Sequence, residues 1–282
     1  DAFQMRFMNP TATRDSGPGV DASAAIADNS PSFPPDARDA ASVNAKATTE
    51  RTLSARPEDA AGSSVGDSRL SDLLKQMDGR MSRRTAFLEA LDAWGAIGES
   101  KPYLEGIDDD STFFNLSAKA AGFFIQRIEA DLHVLRNLNM PAILEFRTDA
   151  KRSPGYLVLS GASGERILLK AAGQPALAIP AGEFDQSWSG VAYILWKNFL
   201  SIEGTIPVNA PADSIVALKM LLREIGHKNL PLSREYDPAT QKAIEQIQAR
   251  YGLPVDGIVG ALTKIVLYRE GKSFEIPRLT GQ

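Results

Sequence analysis

Cysteine is absent from the 282 residues, and histidine occurs only as His133 and His227. Without thiols there is no disulfide framework, no thiolate zinc site and no cysteine nucleophile. Two isolated histidines, with no HExxH pattern, do not make a zinc hydrolase, and each reads as a helix-surface residue. No apolar run reaches the eighteen residues of a membrane-crossing helix, and no leader-peptide pattern is present. Since it begins at Asp1, the sequence is expected to be part of a longer chain. An excess of positive charge is also lacking. The 31 basic residues are outnumbered by 35 acidic ones, for a net charge of −4 with no basic stripe, which argues against nucleic acid as a partner. GxxxxGK[ST] does not occur, so no ATP site is expected. No cofactor and no metal is implied.

What is present falls into three stretches, 1–66, 67–204 and 205–282. The first is rich in Ala, Ser, Pro, Asp, Thr and Gly, and its few large apolar residues, such as Phe33, Val43 and Leu53, show no period. It reads as a disordered tether, with a root-mean-square span of about 45 Å if it behaves as a flexible coil.

The second stretch begins with helical periodicity. Leu70, Leu73, Leu74 and Met77 make one amphipathic segment and Phe87, Leu88, Leu91 and Trp94 another. Ala118 to Ile128 is a strongly apolar third helix by the same reading, and Leu132, Leu135 and Leu138 follow at helical spacing. Beyond Pro141 the character changes to strands: Ala142 to Phe146, Tyr156 to Ser160, Ile167 to Lys170, Leu177 to Ile179 and Val191 to Trp196, punctuated by Gly, Pro and Ser. Helices first and strands later predict an α+β fold. Trp188 and Trp196 are expected in the core. Glu105 with Asp108 to Asp110 is an acidic cluster that a carboxylate-based glycosidase would need, though such runs are usually solvated loops or helix caps.

The third stretch predicts three helices. Ile215, Leu218, Leu221, Leu222 and Ile225 form one stripe ended by Gly226. Asp237-Pro238 announces a second helix, an N-cap acceptor followed by a residue whose missing N–H is not needed in the first turn. Ala243, Ile244, Ile247 and Tyr251 form its inner face, and Gly252 suits a left-handed C-cap, with Leu253 folding back. Asp256-Gly257 makes a tight turn before a third helix carrying Leu262, Ile265, Val266 and Arg269.

Within this module Thr240, Ala243, Gln248, Gly252, Leu253, Asp256, Gly257, Gly260 and Thr263 follow the order and spacing of the bacterial peptidoglycan-binding repeat, which the segment resembles. Ile247 departs from it, standing where many members carry an aromatic residue. The resemblance implies a glycan-peptide ligand, for which Tyr236, Gln248, Arg250 and Tyr251 supply amide, guanidinium and hydroxyl groups beside the Asp256-Gly257 turn. The alternative is that these residues only shape the turn and the core.

Upstream, LRNLNMPAILEF, GYLVLSGASGERILLK and EFDQSWSGVAYILW resemble the papain-like cysteine peptidases that process bacteriocin leaders, and more closely the periplasmic part of general secretion pathway protein A. In that family a peptidase-like domain precedes a separate small peptidoglycan-binding domain, as here. Matched to the peptidase pattern, Asn115 stands at the nucleophile, Gly155 at the histidine and Ala171 at the aspartate, so the domain is read as degenerate. Losing a triad nucleophile alone costs on the order of a million-fold in rate. The resemblance implies a periplasmic, non-catalytic peptidoglycan binder in type II secretion. It also implies a secretion-complex partner or the secretin as a further contact, and an oligomer when joined to a membrane-anchored part. The rival readings are a carboxylate hydrolase acting on the wall and an interaction module that has lost glycan binding.

Overall fold

In the computed structural model the described residues are 64–98, 101, 104–147, 153–171 and 173–281. The expected tether, 1–66, lies almost wholly outside them. Helices α1 (Ser64–Gln76), α2 (Gly79–Ala93) and α3 (Asp110–Ala120) come first. Then follow β1 (Phe124–Glu129), α4 (Leu132–Leu138), β2 (Ala142–Phe146), β3 (Gly155–Ser163), β4 (Arg166–Lys170), β5 (Leu177–Pro180), α5 (Ala181–Ser187) and β6 (Trp188–Trp196). The chain ends in α6 (Ala212–Glu224), α7 (Pro238–Tyr251) and α8 (Ala261–Glu270). The fold is α+β, as the order of periodicities predicts.

The six strands form one antiparallel sheet in the order β1-β6-β2-β3-β4-β5. β2 and β3 are nearly continuous apolar runs because helices cover both faces of the sheet at its centre. Ile143, Tyr156, Val158, Tyr193 and Leu195 meet α2 and α3 on one face. Leu144, Phe146, Leu157, Leu159, Ala192 and Ile194 enter a second apolar cluster with residues of α1, α4 and α5.

One predicted element changes identity. The expected helix from Ala118 to Ile128 is split: α3 begins earlier, capped by the Asp109 carboxylate accepting from the Thr112 N–H at 2.6 Å, and ends at Ala120. Gly122, at φ 77°, takes the left-handed conformation that terminates it, and Phe124 to Glu129 then pair with β6. A run of apolar residues across a helix end carries no period that marks the break.

The three C-terminal helices have the predicted boundaries to within a turn. Their core does not stand apart: Leu218, Leu222, Ile244, Ile247, Val266 and Tyr268 belong to the same apolar cluster as the second face of the sheet. Tyr268 joins them, with its ring 6.5 Å from Trp196 and 5.5 Å from Phe199 and its hydroxyl donating to Asn198 Oδ1 at 2.6 Å. Lys264, buried in α8, donates to the carbonyls of Ile202 at 2.7 Å and Gly204 at 2.6 Å, and burial pushes its ammonium pKa down.

After α8 the chain runs back to the sheet. The Leu279 N–H donates to Asn139 Oδ1 at 3.0 Å and the Thr280 N–H to the Ser160 carbonyl at 3.0 Å; the Ala162 N–H donates to the Thr280 carbonyl at 3.2 Å. Thr280 thus makes a parallel bridge with Gly161, at the irregularity where the β3–β4 register shifts. A Cβ on Gly161 would lie 2.5 Å from Thr280 Oγ1 and 2.8 Å from its carbonyl oxygen, so only glycine admits this approach.

Candidate functional site

The turn between α7 and α8 is built around one side chain. Gln248 is 2 % exposed. Its Nε2 lies 2.8 Å from Asp256 Oδ1, 3.0 Å from the Ile258 carbonyl and 3.3 Å from Thr263 Oγ1. Its Oε1 accepts from the Gly257 N–H at 2.9 Å and the Asp256 N–H at 3.2 Å. Every polar group of this amide is engaged, and it pins the turn from inside. Asp256 also accepts from the Ile258 N–H at 2.8 Å, and the backbone and Gln248 hydrogen bonds hold its carboxyl below the usual range. Gly257 is buried at φ 67°, and its carbonyl accepts from the Tyr236 hydroxyl.

Tyr251 is likewise an inner residue. Its hydroxyl donates to Glu270 Oε1 at 2.6 Å, and burial, reinforced by that carboxylate, pushes its pKa up to about 12. Arg250 reaches the same carboxylate at 3.2 Å and remains exposed. Of the six expected residues, then, Gln248, Tyr251 and Gly257 are interior; Arg250 and Asp256 face solvent, with Tyr236 half-buried between. Sequence reasoning missed Val255 and Ile258, 57 % and 36 % exposed, which flank Asp256-Gly257 on the surface. Their signal was available: both are large apolar residues in a turn, where no helical period assigns them to a core.

The N-terminus of α7 is fixed as strongly as its end. Asp237 accepts from the Thr240 N–H at 2.8 Å and receives the Lys219 ammonium at 2.5 Å, with Lys219 fully buried and also bonded to Ser233 at 2.7 Å. The Lys219 bond, followed by the Thr240 N–H, lowers the Asp237 carboxyl to about 2. This is a capped helix with a charge-assisted lock.

In the sheet-bearing half, Asn115 is exposed on α3 and its amide donates to the Ser111 carbonyl of its own helix. The side chain that meets the start of β3 is Ser82, on α2: its hydroxyl accepts from the Tyr156 N–H at 3.2 Å, next to Gly155, and donates to the Gly79 carbonyl at 2.9 Å. Ser82, and not Asn115, is thus the side chain that bonds the backbone beside Gly155. Gly155 offers no imidazole to activate the hydroxyl.

The acidic cluster is also structural. Asp110 accepts from Arg83 at 2.5 Å and from the Tyr156 hydroxyl at 2.7 Å; Arg83, 2 % exposed, also holds the carbonyls of Ile107 and Asp108. Glu105 pairs with Arg84 at 3.0 Å, Asp108 pairs with Arg80, and Asp109 caps α3. Trp188 and Trp196 are buried, as expected. Among the described residues no helix is long and apolar enough to cross a membrane.

Comparison with known proteins agrees with the module described above. Residues 211–267 match the family model described as "Putative peptidoglycan binding domain". Over 152 residues the chain is 28 % identical to the protein named "Putative general secretion pathway protein A" of Escherichia coli (strain K12), covering 54 % of this chain and 30 % of that one. The chain thus spans about a third of the length of this curated relative. Among solved structures, a periplasmic domain of the EpsAB fusion protein of the Vibrio vulnificus type II secretion system aligns with 71 % of this chain and 83 % of its own, at 19 % identity and a TM-score of 0.44. The peptidase domain of Streptococcus ComA aligns with 44 % of this chain and 96 % of its own, at 20 % identity and a TM-score of 0.38.

Proposed function

We propose that this chain is a non-catalytic peptidoglycan-binding unit of the periplasm that supports assembly or anchoring of a type II secretion complex. The observation that carries the reading is the match of residues 211–267 to a peptidoglycan-binding family, on helices whose turn is rigidly built from within and presents exposed groups. The ligand face is Tyr236, Arg250 and Asp256 with Val255 and Ile258. It offers an aromatic edge, a guanidinium, a carboxylate and apolar contacts to a glycan bearing peptide stems. Residues 67–204 act as an inactive peptidase-like partner domain, residues 205–282 as the wall-binding domain and residues 1–66 as a tether. The relationship to a general secretion pathway protein supports the periplasmic setting and a secretion-complex protein or the secretin as partner.

Co-sedimentation of the full chain with purified sacculi tests this. At micromolar concentration the protein is expected in the pellet, and Val255→Asp and Arg250→Ala are expected to shift it toward the supernatant without changing its melting temperature by more than about 2 °C. A protein that stays in the supernatant sinks the proposal. Release of soluble muropeptides from the sacculi would replace it with the hydrolase reading, which the paired state of Glu105, Asp108 and Asp110 disfavours.

A further inference from the structure

A second polar site lies away from the α7–α8 turn. Where the end of α2 approaches the segment after α8, a cleft of about 480 Å³ is lined by Trp94, Arg269, Phe274, Glu275, Pro277 and Arg278. Its lining is mixed, with the charged Arg269, Glu275 and Arg278 beside Trp94, Phe274 and Pro277. Trp94 carries the Lys197 ammonium 5.6 Å above its ring, and Phe274 stacks on Phe199 at 4.7 Å.

Two guanidiniums line this cleft. Arg80, Arg83, Arg84, Arg127, Arg234 and Arg250 each face a carboxylate. Among the described residues Arg269 and Arg278 pair with none, as is true of Arg147, Arg166 and Arg223 as well, but these two lie on one cleft; Arg269 Nε, like Arg83 Nε, is buried without a hydrogen-bond partner. The group complementary to a guanidinium that has no carboxylate of its own is a carboxylate from outside, which two arginines can hold from two sides. Glu275, on the same cleft, adds one negative charge to the lining, the complement of an ammonium.

We infer that this cleft binds the zwitterionic end of an amino acid, a carboxylate and an ammonium close together on a hydrocarbon chain, with Arg269 and Arg278 on the carboxylate and Glu275 on the ammonium. This rests on the proposed wall-binding function for its source, the free end of a peptidoglycan stem peptide. The cleft joins the wall-binding helices to the sheet-bearing half, so a stem peptide lodged there touches both. A soluble amino acid carries the same pair of charges, and the experiment separates the two sources.

The test is calorimetric titration of the full chain with three probes: a muramyl tripeptide ending in meso-diaminopimelate, the same compound amidated at the carboxylate on the carbon that bears the free ammonium, and free meso-diaminopimelate. Saturable binding of the first below about 1 mM is expected, weakened about tenfold or more by amidation or by Arg278→Ala, and by less in Glu275→Gln. Arg278 is exposed, so its replacement leaves folding intact; Arg269→Lys, which keeps charge but loses the fork, is expected to weaken binding as well. No saturation with the tripeptide, or unchanged affinity in both arginine variants, overturns the inference. Equal affinity for free diaminopimelate overturns the wall as source. Sacculus pelleting without tripeptide binding removes the cleft and leaves the proposed function standing; tripeptide binding without pelleting does the reverse.

Discussion

In the sheet-bearing half, a buried arginine, Arg83, gathers Asp110 and the carbonyls of Ile107 and Asp108, so that the loop before α3 is held against α2. In the helical module, a buried amide, Gln248, gathers Asp256, Gly257, Ile258 and Thr263 in the same manner, so that the turn before α8 is held against α7. Each organiser is one interior side chain around which a loop is wrapped. The difference lies in charge. Arg83 needs a carboxylate to be tolerated inside, whereas Gln248 is neutral at every pH and divides its bonds among backbone groups, the Asp256 carboxylate and the Thr263 hydroxyl. The comparison teaches that the residues most like a functional motif in both halves are internal fasteners, and that the groups free to meet a ligand are their exposed neighbours.

Removing either fastener breaks that comparison most directly. Gln248→Leu leaves the buried N–H of Gly257 and the N–H of Asp256 without acceptors, with an expected loss of about 3 kcal/mol in chemical denaturation. Because the module and the sheet share an apolar cluster, the loss is expected in one cooperative transition followed by both far-UV circular dichroism and tryptophan fluorescence; two separated transitions would show that the halves are independent. Arg83→Met is expected to cost slightly less, about 2–3 kcal/mol, since Asp110 is partly exposed and keeps the Tyr156 hydroxyl. A third variant, Gly161→Ala, forces the Thr280 bridge apart. It is expected to cost about 1–2 kcal/mol and to make residues 272–281 the first site of limited proteolysis, while an unchanged cleavage pattern would refute the role of the bridge.

The smallest effect sharpens the contrast in charge. The Asp237 carboxyl is lowered in the folded protein, so its contribution is present above the unfolded value near 4 and is lost as pH falls through about 2. Stability is expected to drop by about 1 kcal/mol over that window after solvent screening, and Asp237→Asn should flatten that part of the profile. An identical acid profile in the variant would assign the loss to other carboxylates.

Much of this architecture was legible because local chemistry and tertiary structure agree. Asp237, Pro238 and Gly252 mark the ends of α7 in sequence and cap it in space, with Gly252 at φ 68°. The strands from Ala142 onward are read correctly because glycine and proline bound short apolar runs. The reading failed where two elements share one apolar run, at Phe123–Phe124, because neither a period of 3.6 nor one of 2 is established before the break. The contact of Ser82 with the head of β3 was not legible either, since spacing along one chain does not tell which of two helices, α2 or α3, meets it. At Gln248 the motif identified the family match but not the direction of the side chain. Polar residues look alike in sequence whether they face a ligand or a turn. The return of residues 272–281 to β3 had no signal at all, because its pairing depends on an irregularity in β3 and on Asn139, whose backbone ends α4 at φ 48°.

That return of the chain gives the molecule a direction of mechanical weakness. Tension applied to α8 along the line of β3 would load the Ser160–Thr280 and Ala162–Thr280 hydrogen bonds together, in shear, whereas tension across the sheet would open them one after the other like a zipper. The Asn139–Leu279 bond lies between α8 and both along the chain, and a pull from α8 reaches it first. A protein held by its C-terminal helices would therefore resist pulling unequally, and the orientation in which it is held would decide how much force reaches the sheet.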